Sequence, residues 1–548
     1  MLISSLNRII AENFLPHWWK DLKTTLTTDK YVDTENIHRF DPASEFFGGG
    51  GDAGRWLGKA SYSPPSENQR AFNTGIKQGA YGKVKIHKHN KLSQLVRIDE
   101  VFSAIWLKFG AKMPNKIEKT NADPDLLFCD LFLGKVSRSF AAVIRQLPKG
   151  LCSDILVFYL VLRALDTIED DMEAFKGQEN VKINHLNTFH SVALYTKGWN
   201  MKNVGEGDEE EFLSNFDKCG NVFRSLRKDS QTIIADIAKR MGEGMASFVA
   251  KDLGQGTVSI EDYNMYCHYV AGLVGEGLSK LFTCSGYESN EVADVSETLA
   301  NTMGLFLQKT NIIRDYLEDY VDGRAWWPQE VWKQYSVSGS LGDFTVYDNK
   351  EHALHCLNHL ITDALTCIPD CMEYMKLLKT EEVFRFCAIP QVMAIATLRD
   401  LYNNHDVFTG VVKIRKGLVA KLILDTKTPA GLHKWFNFMA KDILSRVPED
   451  DPNKEKTKEI CNKVIRITSS YAHKGLIDTY ATALQVFAPI GIALSVQYFY
   501  ADYNMFGFSL PLYSIRGQLA FAAFGLLSTF SLLYSLFPVR EPLKRADP

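Results

Sequence analysis

The sequence of 548 residues lacks several patterns that would assign it to common functional classes. None of its ten cysteines forms a CxxC pair, and the closest two, Cys367 and Cys371, have no histidine cluster beside them. A zinc site and a disulfide framework are therefore not indicated. No Rossmann fingerprint is present. Lys plus Arg number 62 and Asp plus Glu number 65, a balance that gives no electrostatic footprint for nucleic acid.

The two ends of the chain differ in character from its middle. Residues 1–85 are mixed in composition, and charged residues interrupt the early apolar run, so we predict a partly ordered extension and no secretory signal. Segments 484–501 and 517–537 carry no charge, and each is close to the ~20 residues that a helix needs to cross a bilayer. We therefore predict that residues 471–548 form a membrane anchor with one or two transmembrane helices. Basic residues outside the pair favour a hairpin with both ends cytosolic.

Between these ends, residues 86–470 show apolar positions mostly at helical spacing, and alternating strand patterns are scarce. Glycines and prolines fall where helices would end. No repeat of fixed period is visible. The sequence predicts an all-α domain of many packed helices.

One predicted helix carries a group of acidic residues after a nearly continuous apolar stretch. Asp166, Glu169 and Asp170 follow at i, i+3 and i+4, so they share one helix face. Carboxylates clustered at the end of a buried helix repel one another and are costly unless a cation neutralises them. Hard oxygen donors at this spacing suit Mg²⁺, which favours a few carboxylates together with substrate phosphates. Arg163 lies one turn earlier.

A second predicted helix places Asn311, Asp315 and Asp319 at i, i+4 and i+8, again on one face, with Arg314 beside them. If the two helices pack antiparallel, their oxygen-rich faces form opposite walls of a cavity for Mg²⁺ ions that bridge a diphosphate. Such ions make diphosphate a good leaving group. Taken singly, each face could instead be a solvated acidic surface, and structural ion pairs remain an alternative for the pair.

The residues around these faces resemble the squalene/phytoene synthase family. LVLRALDTIEDDM (160–172) and NIIRDYLEDY (311–320) resemble its two aspartate-rich motifs. Further blocks match the family in the same order: VSRSFAAVI (136–144), YCHYVAGLVG (266–275), GRAWWPQEVW (323–332), FCAIPQVMAIATL (386–398) and VKIRKG (412–417). The last two blocks resemble the squalene synthases within the family.

This resemblance implies an all-α isoprenoid-synthase fold, a many-helix bundle around a central cavity, with residues 86–470 as the catalytic domain. It implies head-to-head condensation of two farnesyl diphosphates to presqualene diphosphate, followed by NADPH-dependent reductive rearrangement to squalene in sterol biosynthesis. The implied metal is Mg²⁺, with Mn²⁺ as an alternative. The expected partner surface is a lipid bilayer, and the expected location is the endoplasmic reticulum membrane with the catalytic domain facing the cytosol. We interpret the chain as a monomer.

The resemblance also implies roles for individual residues. The expected metal ligands are Asp166, Glu169, Asp170, Asn311, Asp315 and Asp319. The expected contacts to diphosphate are Arg138, Ser139, Phe140 and Arg163. The expected contacts to NADPH are Arg138, Arg163, Arg314, Lys413 and Arg415. The expected catalytic residues are Tyr266, which would assist proton removal beside a carbocation, and Phe386, which would line the second half-site, together with Asp166, Asp170, Asp315 and Asp319.

Two other functions remain open from the sequence. A sister synthase would release presqualene diphosphate, phytoene or a related product without reduction, and a catalytically silent membrane protein would serve as a scaffold. The sequence departs from the family pattern at Glu276 and over residues 200–211, and we expect neither departure to contact a motif.

Overall fold

The computed structural model describes residues 84–87, 89, 97–109, 123–171 and 173–472. Nearly all of the predicted extension and of the predicted anchor, including both transmembrane segments, lies outside these residues and stays a prediction. Among the described residues, no helix is both long and apolar enough to span a bilayer.

Twenty α-helices follow one another along the described chain. They are α1 (Ile98–Phe109), α2 (Pro124–Val136), α3 (Arg138–Ile144), α4 (Lys149–Asp170), α5 (Glu179–Tyr195), α6 (Asp208–Leu213), α7 (Phe216–Ser225), α8 (Lys228–Val249), α9 (Ile260–Cys267), α10 (Leu273–Cys284), α11 (Asn290–Asp294), α12 (Asn301–Arg314), α13 (Tyr316–Asp322), α14 (Gln329–Trp332), α15 (Lys350–Leu365), α16 (Ile368–Leu377), α17 (Glu381–Leu401), α18 (Lys416–Asp425), α19 (Pro429–Ser445) and α20 (Lys454–Ala472).

Short π and 3₁₀ segments complete the secondary structure. The π segments are His268–Gly272 and Ser296–Ala300, and the 3₁₀ segments are Leu341–Thr345, Tyr347–Asn349 and His405–Phe408. Within the described ranges, extended pairing is limited to one isolated parallel bridge between Ile86 and Val411. The prediction of an all-helical domain is confirmed for this part of the chain.

Helix α4 runs through the centre of the first half of the bundle. It begins after Pro148, whose fixed φ suits a helix start, and continues for 22 residues. Helices α2, α5, α7, α8 and α10 pack around it. Leu156, Leu160 and Leu165 on this helix are fully buried. A helix enclosed on all sides carries its carboxyl end, with the acidic residues, into a site shielded from water.

Helix α12 packs against the π segment that joins α9 to α10. The approach is close because Gly304 of α12 has no side chain: a Cβ atom there would lie 2.1 Å from the carbonyl oxygen of Ala271. α9, the π segment and α10 follow without a break from Ile260 to Cys284. This continuous helix and α12 therefore hold Tyr266 and the second acidic motif in one rigid unit.

Candidate active site

The first carboxylate set (Asp166, Glu169 and Asp170) occupies the last two turns of α4. All three side chains are buried, and Asp166 is only 2% exposed. Burial raises the pKa of Asp166 and of Asp170 well above the usual range, because the charged form loses its water, and neighbouring carboxylates raise it further. The negative end of the helix dipole adds to this cost. In its ionised form, the set is therefore stabilised by nearby positive charge.

Asp171, the next residue, has a different role. Its Oδ1 accepts hydrogen bonds from the backbone N–H groups of Glu173 and Ala174 at 3.0 and 2.9 Å, and its Oδ2 accepts one from Gly205 N–H at 2.7 Å. These bonds fix the loop after α4. Asp171 is therefore a structural residue, unlike the three buried carboxylates before it.

The second carboxylate set lies across the junction of α12 and α13. It consists of the carboxylates of Asp315 and Asp319 and the side-chain amide of Asn311. The backbone N–H of Asp315 donates to the backbone carbonyl of Asn311 at 2.9 Å. The backbone N–H of Asp319 donates to the backbone carbonyl of Asp315 at 3.0 Å. The helical spacing is thus kept through the junction, and the three side chains follow one face. Asp315 and Asp319 are buried.

Asp315 is held by its own neighbour in the sequence. Arg314 Nε and Nη2 donate to Asp315 Oδ1 and Oδ2 at 2.7 and 2.6 Å, a bidentate pair in a buried setting. Burial raises the pKa of Asp315 while Arg314 opposes the rise. Glu318 and Asp319 have no such clamp: burial and nearby carboxylates raise the pKa of Glu318 to about 9 and that of Asp319 well above its usual range.

Arg324 joins the two sets. Its Nη2 donates to Glu169 Oε1 at 2.5 Å and its Nη1 to Asp170 Oδ1 at 3.4 Å. Its backbone N–H donates to the backbone carbonyl of Asp319 at 3.0 Å, and the Gly323 N–H donates to the backbone carbonyl of Tyr320 at 3.2 Å. These two bonds, with Gly323 at φ 78°, form a Schellman motif that ends α13. The positive charge of Arg324 opposes, without cancelling, the rise in the pKa of Asp319.

Tyr266 lies beside this junction. Its ring stacks on Trp326 with centroids 3.5 Å apart and planes inclined by 12°, and the Arg324 guanidinium lies 5.4 Å from the centre of a Trp326 ring. Phe248 packs edge-on against Tyr266 at 5.3 Å. Burial first, and then the charge of Glu169, raise the pKa of Tyr266 well above its usual range. Its phenol therefore stays neutral.

Arg163 contacts protein groups. Its Nη1 donates to Glu209 Oε1 at 3.3 Å, and its Nη2 donates to the Val136 carbonyl at 3.1 Å and the Tyr159 hydroxyl at 3.3 Å. The expectation that residues 200–211 contact no motif is wrong, because Glu209 also raises the pKa of Asp166 by its charge. Glu276, the other departure, is 1% exposed and pairs with Arg240 at 2.7 Å.

The remaining predicted phosphate contacts lie on other elements. Arg138 and Ser139 begin α3, but their side chains lie outside the described part of the structure. The Phe140 ring lies 5.7 Å from that of Tyr159. Arg415 forms a bidentate pair with Glu100 of α1, at 2.7 and 3.1 Å. The backbone carbonyl of Lys413 lies 2.6 Å from His89 Nε2.

Phe386 lies far from Tyr266. It packs on α17 against Phe282 with ring centroids 6.0 Å apart, beside a shallow pocket that Val143 and Ile389 help to line. Tyr266 and Phe282 are separated by 16 residues of continuous helix, or roughly 24 Å along its axis. The structure therefore does not bring Phe386 to the carboxylates.

The chemistry of the two sets fits a divalent cation. Within the described part of the chain, the buried oxygens that lack a hydrogen-bond donor include Asp166 Oδ2, Asn311 Oδ1 and Asp319 Oδ2 of the two sets and Glu318 Oε2 beside the second set. Buried oxygens without donors are costly, and the raised pKa values of the carboxylates show the same deficit of positive charge. An all-oxygen donor set is the kind that Mg²⁺ and Mn²⁺ prefer.

A separate surface group contrasts with this site. Glu351, His355 and Asp450 bring ligand atoms within 4.8 Å of one another, but Glu351 and Asp450 are exposed to water. Exposed carboxylates need no ion to neutralise them, whereas the buried ones do. The two buried sets are thus the better candidates for a catalytic metal.

Sequence reasoning missed Arg324, Trp326 and Lys182. Arg324 and Trp326 belong to the GRAWWPQEVW block, but the block alone does not show that the arginine side chain reaches Glu169 and Asp170 on α4. Lys182 of α5 is buried, and the charges of Glu169 and Asp170 act on it while burial lowers its pKa. Polar and apolar residues are mixed around α5, so the sequence pattern did not indicate that Lys182 would be buried.

The family pattern described as squalene/phytoene synthase matches residues 133–417. Human squalene synthase is 44% identical over 73% of this chain and 94% of its own length. The squalene synthase of Saccharomyces cerevisiae is 43% identical over 65% of this chain and 79% of its own. A solved structure of TcSQS with a ligand shares 39% identity, covers 64% of this chain and all of its own, and superposes with a TM-score of 0.60. The chain belongs to the squalene/phytoene synthase family.

Proposed function

We propose that this chain condenses two farnesyl diphosphates head to head into presqualene diphosphate and then reduces that intermediate with NADPH to squalene. The observation that carries the proposal is the meeting, at Arg324, of two buried carboxylate sets with unsatisfied oxygens. Similarity to squalene synthases over about three quarters of the chain supports the same reaction.

Asp166, Glu169, Asp170, Asn311, Asp315 and Asp319 would hold Mg²⁺, or Mn²⁺ in its place. When bound, the ions neutralise the negative charge that develops as diphosphate leaves. The buried setting strengthens this effect, because charges interact more strongly where water is excluded.

The residues beside the metal end handle the cation and its proton. Loss of the first diphosphate leaves an allylic cation, which the double bond of the second substrate attacks, and loss of a proton closes the cyclopropane. Tyr266 is neutral, so its phenol oxygen accepts that proton as its own hydroxyl proton passes to the departing diphosphate. The Tyr266 and Trp326 rings add aromatic faces that stabilise positive charge.

The apolar body of the bundle would receive the hydrocarbon chains and exclude water, which would otherwise quench the cation. We assign Phe386 to this apolar end of the cavity, since its ring packs against Phe282, which lies roughly 24 Å along the helix from Tyr266. Its role is to line the second half-site and not to contact the departing diphosphate.

NADPH would supply the hydride of the second step. The proposed contacts are Arg138, Arg163, Arg314, Lys413 and Arg415. Three of them already have carboxylate partners: Arg163 pairs with Glu209, Arg314 with Asp315 and Arg415 with Glu100. A phosphate at these positions would replace or share such a partner, which a guanidinium can do because its donors form a fork.

Residues 471–548 would anchor the monomer in the endoplasmic reticulum membrane with the catalytic domain in the cytosol, so that squalene passes directly into the bilayer. Alkaline carbonate extraction of the full chain from microsomes tests this proposal. We expect the protein to stay in the pellet, and release into the supernatant would contradict the anchor.

The reaction is tested with the full chain in detergent, incubated with farnesyl diphosphate and Mg²⁺. We expect presqualene diphosphate without NADPH and squalene with it, both identified by mass spectrometry. A product that is unchanged by NADPH would favour a non-reducing synthase. The absence of diphosphate release with and without NADPH would contradict the proposal and favour a scaffold.

A further inference from the structure

Arg324 is a buried cation that donates hydrogen bonds to the first carboxylate set from outside α4. Its guanidinium uses Glu169 Oε1 and Asp170 Oδ1, two of the oxygens that a metal ion would need. Its position comes from the Schellman turn at Gly323, which ties its backbone to Asp319 of the second set.

We propose that Arg324 is a placeholder cation: it neutralises Glu169 and Asp170 in the metal-free protein and competes with the divalent ion for their oxygens. This inference rests on the proposed function only in naming Mg²⁺ as the ion. A guanidinium and a divalent ion cannot share these oxygens cheaply, because two like charges at contact distance repel strongly in a buried site.

The surroundings of Arg324 keep it in the site after it is displaced. Its backbone is fixed by the bond to the Asp319 carbonyl, and the Trp326 ring 5.4 Å away offers an aromatic face to its charge. The displaced guanidinium then lies beside the ions where a diphosphate binds. A fork of N–H donors suits phosphate oxygens, so the same residue changes from a carboxylate partner to a phosphate partner.

The test compares Arg324→Gln with the intact full chain in detergent, by thermal melting in EDTA and during titration with Mg²⁺ alone. Measurement at about pH 8.5 limits competition from protons. In EDTA the variant should melt at a lower temperature, because its buried carboxylates lose the hydrogen bonds from this arginine. Its Mg²⁺ midpoint should fall about tenfold, since the ion no longer displaces an arginine.

Arg240→Gln is the matched control. Arg240 forms a similar pair with the buried Glu276, at 2.7 and 3.4 Å, away from both carboxylate sets. We expect this variant to lose stability as well, but to keep the Mg²⁺ midpoint of the intact chain. A structural role for Arg324 alone would make the two variants alike, so equal midpoints overturn the proposal.

Two further measurements complete the test. Arg324→Lys keeps the charge but not the fork, so its Mg²⁺ midpoint should lie between those of the intact chain and Arg324→Gln; if Arg324→Gln does not fold, an unchanged midpoint in the lysine variant overturns the proposal. With Mg²⁺ saturating, Arg324→Gln should bind inorganic pyrophosphate more weakly, by about tenfold, and unchanged pyrophosphate binding would overturn the switch to a phosphate partner. Neither titration uses farnesyl diphosphate, so a failed squalene assay would not affect them.

Discussion

The two carboxylate sets are buried to a similar degree, but they obtain their positive charge differently. Asp315 is clamped by Arg314, the preceding residue, through two short hydrogen bonds. Glu169 and Asp170 depend on Arg324, which is more than 150 positions later in the chain. Within the residues that the structure describes, Asp166 and Asp319 each keep a buried oxygen with no donor.

This difference separates local stability from metal affinity. A carboxylate held by its own neighbour is neutralised whenever the helix forms, with or without a metal. A carboxylate held by a distant arginine is neutralised only once the whole bundle is assembled, and one without a donor is neutral only when it binds a proton, as its raised pKa indicates. We therefore expect that replacing a carboxylate without a donor leaves stability level or raises it, whereas removing an arginine that clamps a carboxylate lowers it.

The largest effect is expected for Asp166→Asn. Turnover of farnesyl diphosphate should fall by about 10³-fold or more, because a metal ligand that acts on the developing charge is removed. Stability in EDTA should stay level or rise, since an amide avoids the cost of burying a charge. Diphosphate release and thermal melting measure the two quantities.

Asp171→Asn is the control for this variant. It lies five residues further along and binds backbone N–H groups at the end of α4. It should lower stability by about 1 kcal/mol, as the loss of a cap does, with little effect on turnover. If Asp171→Asn impairs turnover as much as Asp166→Asn, the assignment of the first set to Asp166, Glu169 and Asp170 without Asp171 is wrong.

Arg314→Gln should give the largest loss of stability. Removing the arginine leaves Asp315 buried without its partner, at a cost of about 3–5 kcal/mol in urea unfolding without metal. Arg227→Gln is the comparison: Arg227 pairs with the buried Asp154 at 2.7 Å, but its side chain is 49% exposed and Ser230 also bonds to Asp154. A loss of about 1 kcal/mol or less is expected there. Equal losses of stability in the two variants would show that the buried pair of Arg314 and Asp315 stabilises the protein no more than the half-exposed pair does.

A smaller, pH-dependent effect is expected from Glu318, whose pKa is raised to about 9. Between the ordinary value of ~4.3 and this value, the unfolded chain gives up a proton that the folded chain keeps. Stability without metal should therefore fall as the pH rises through this window, by about 1.4 kcal/mol per pH unit for each such proton.

Urea unfolding in EDTA at about pH 6, 7 and 8 measures this slope. Glu318→Gln should remove about one proton's share of it. Saturating Mg²⁺ should flatten it further, because the carboxylates would then be ionised in the folded state as well. A stability that rises with pH in EDTA would contradict the raised pKa values of both sets.

The sequence predicted the helical class and both carboxylate faces, because helical periodicity and spacing are local properties. It did not predict the partners of Arg163 or the role of Arg324, because these depend on where a loop returns to α4. It placed Phe386 in the second half-site, which stays a prediction, but it did not indicate that Phe386 packs against Phe282. Contacts between distant segments are set by packing, which a single sequence does not display.

The smallest effect tests the turn that links the two sets. Gly323 has φ 78°, where a side chain is disfavoured, so Gly323→Ala should cost about 1 kcal/mol of stability. Gly339 has φ 81° in a loop where a Cβ would meet nothing within 4 Å, so Gly339→Ala should cost about the same. Only Gly323→Ala should also alter the Mg²⁺ midpoint, because it shifts the backbone that aims Arg324 at Glu169 and Asp170. If both glycine variants keep the midpoint of the intact chain, the turn does not couple the second set to the first, and Arg324 is positioned by its side-chain contacts alone.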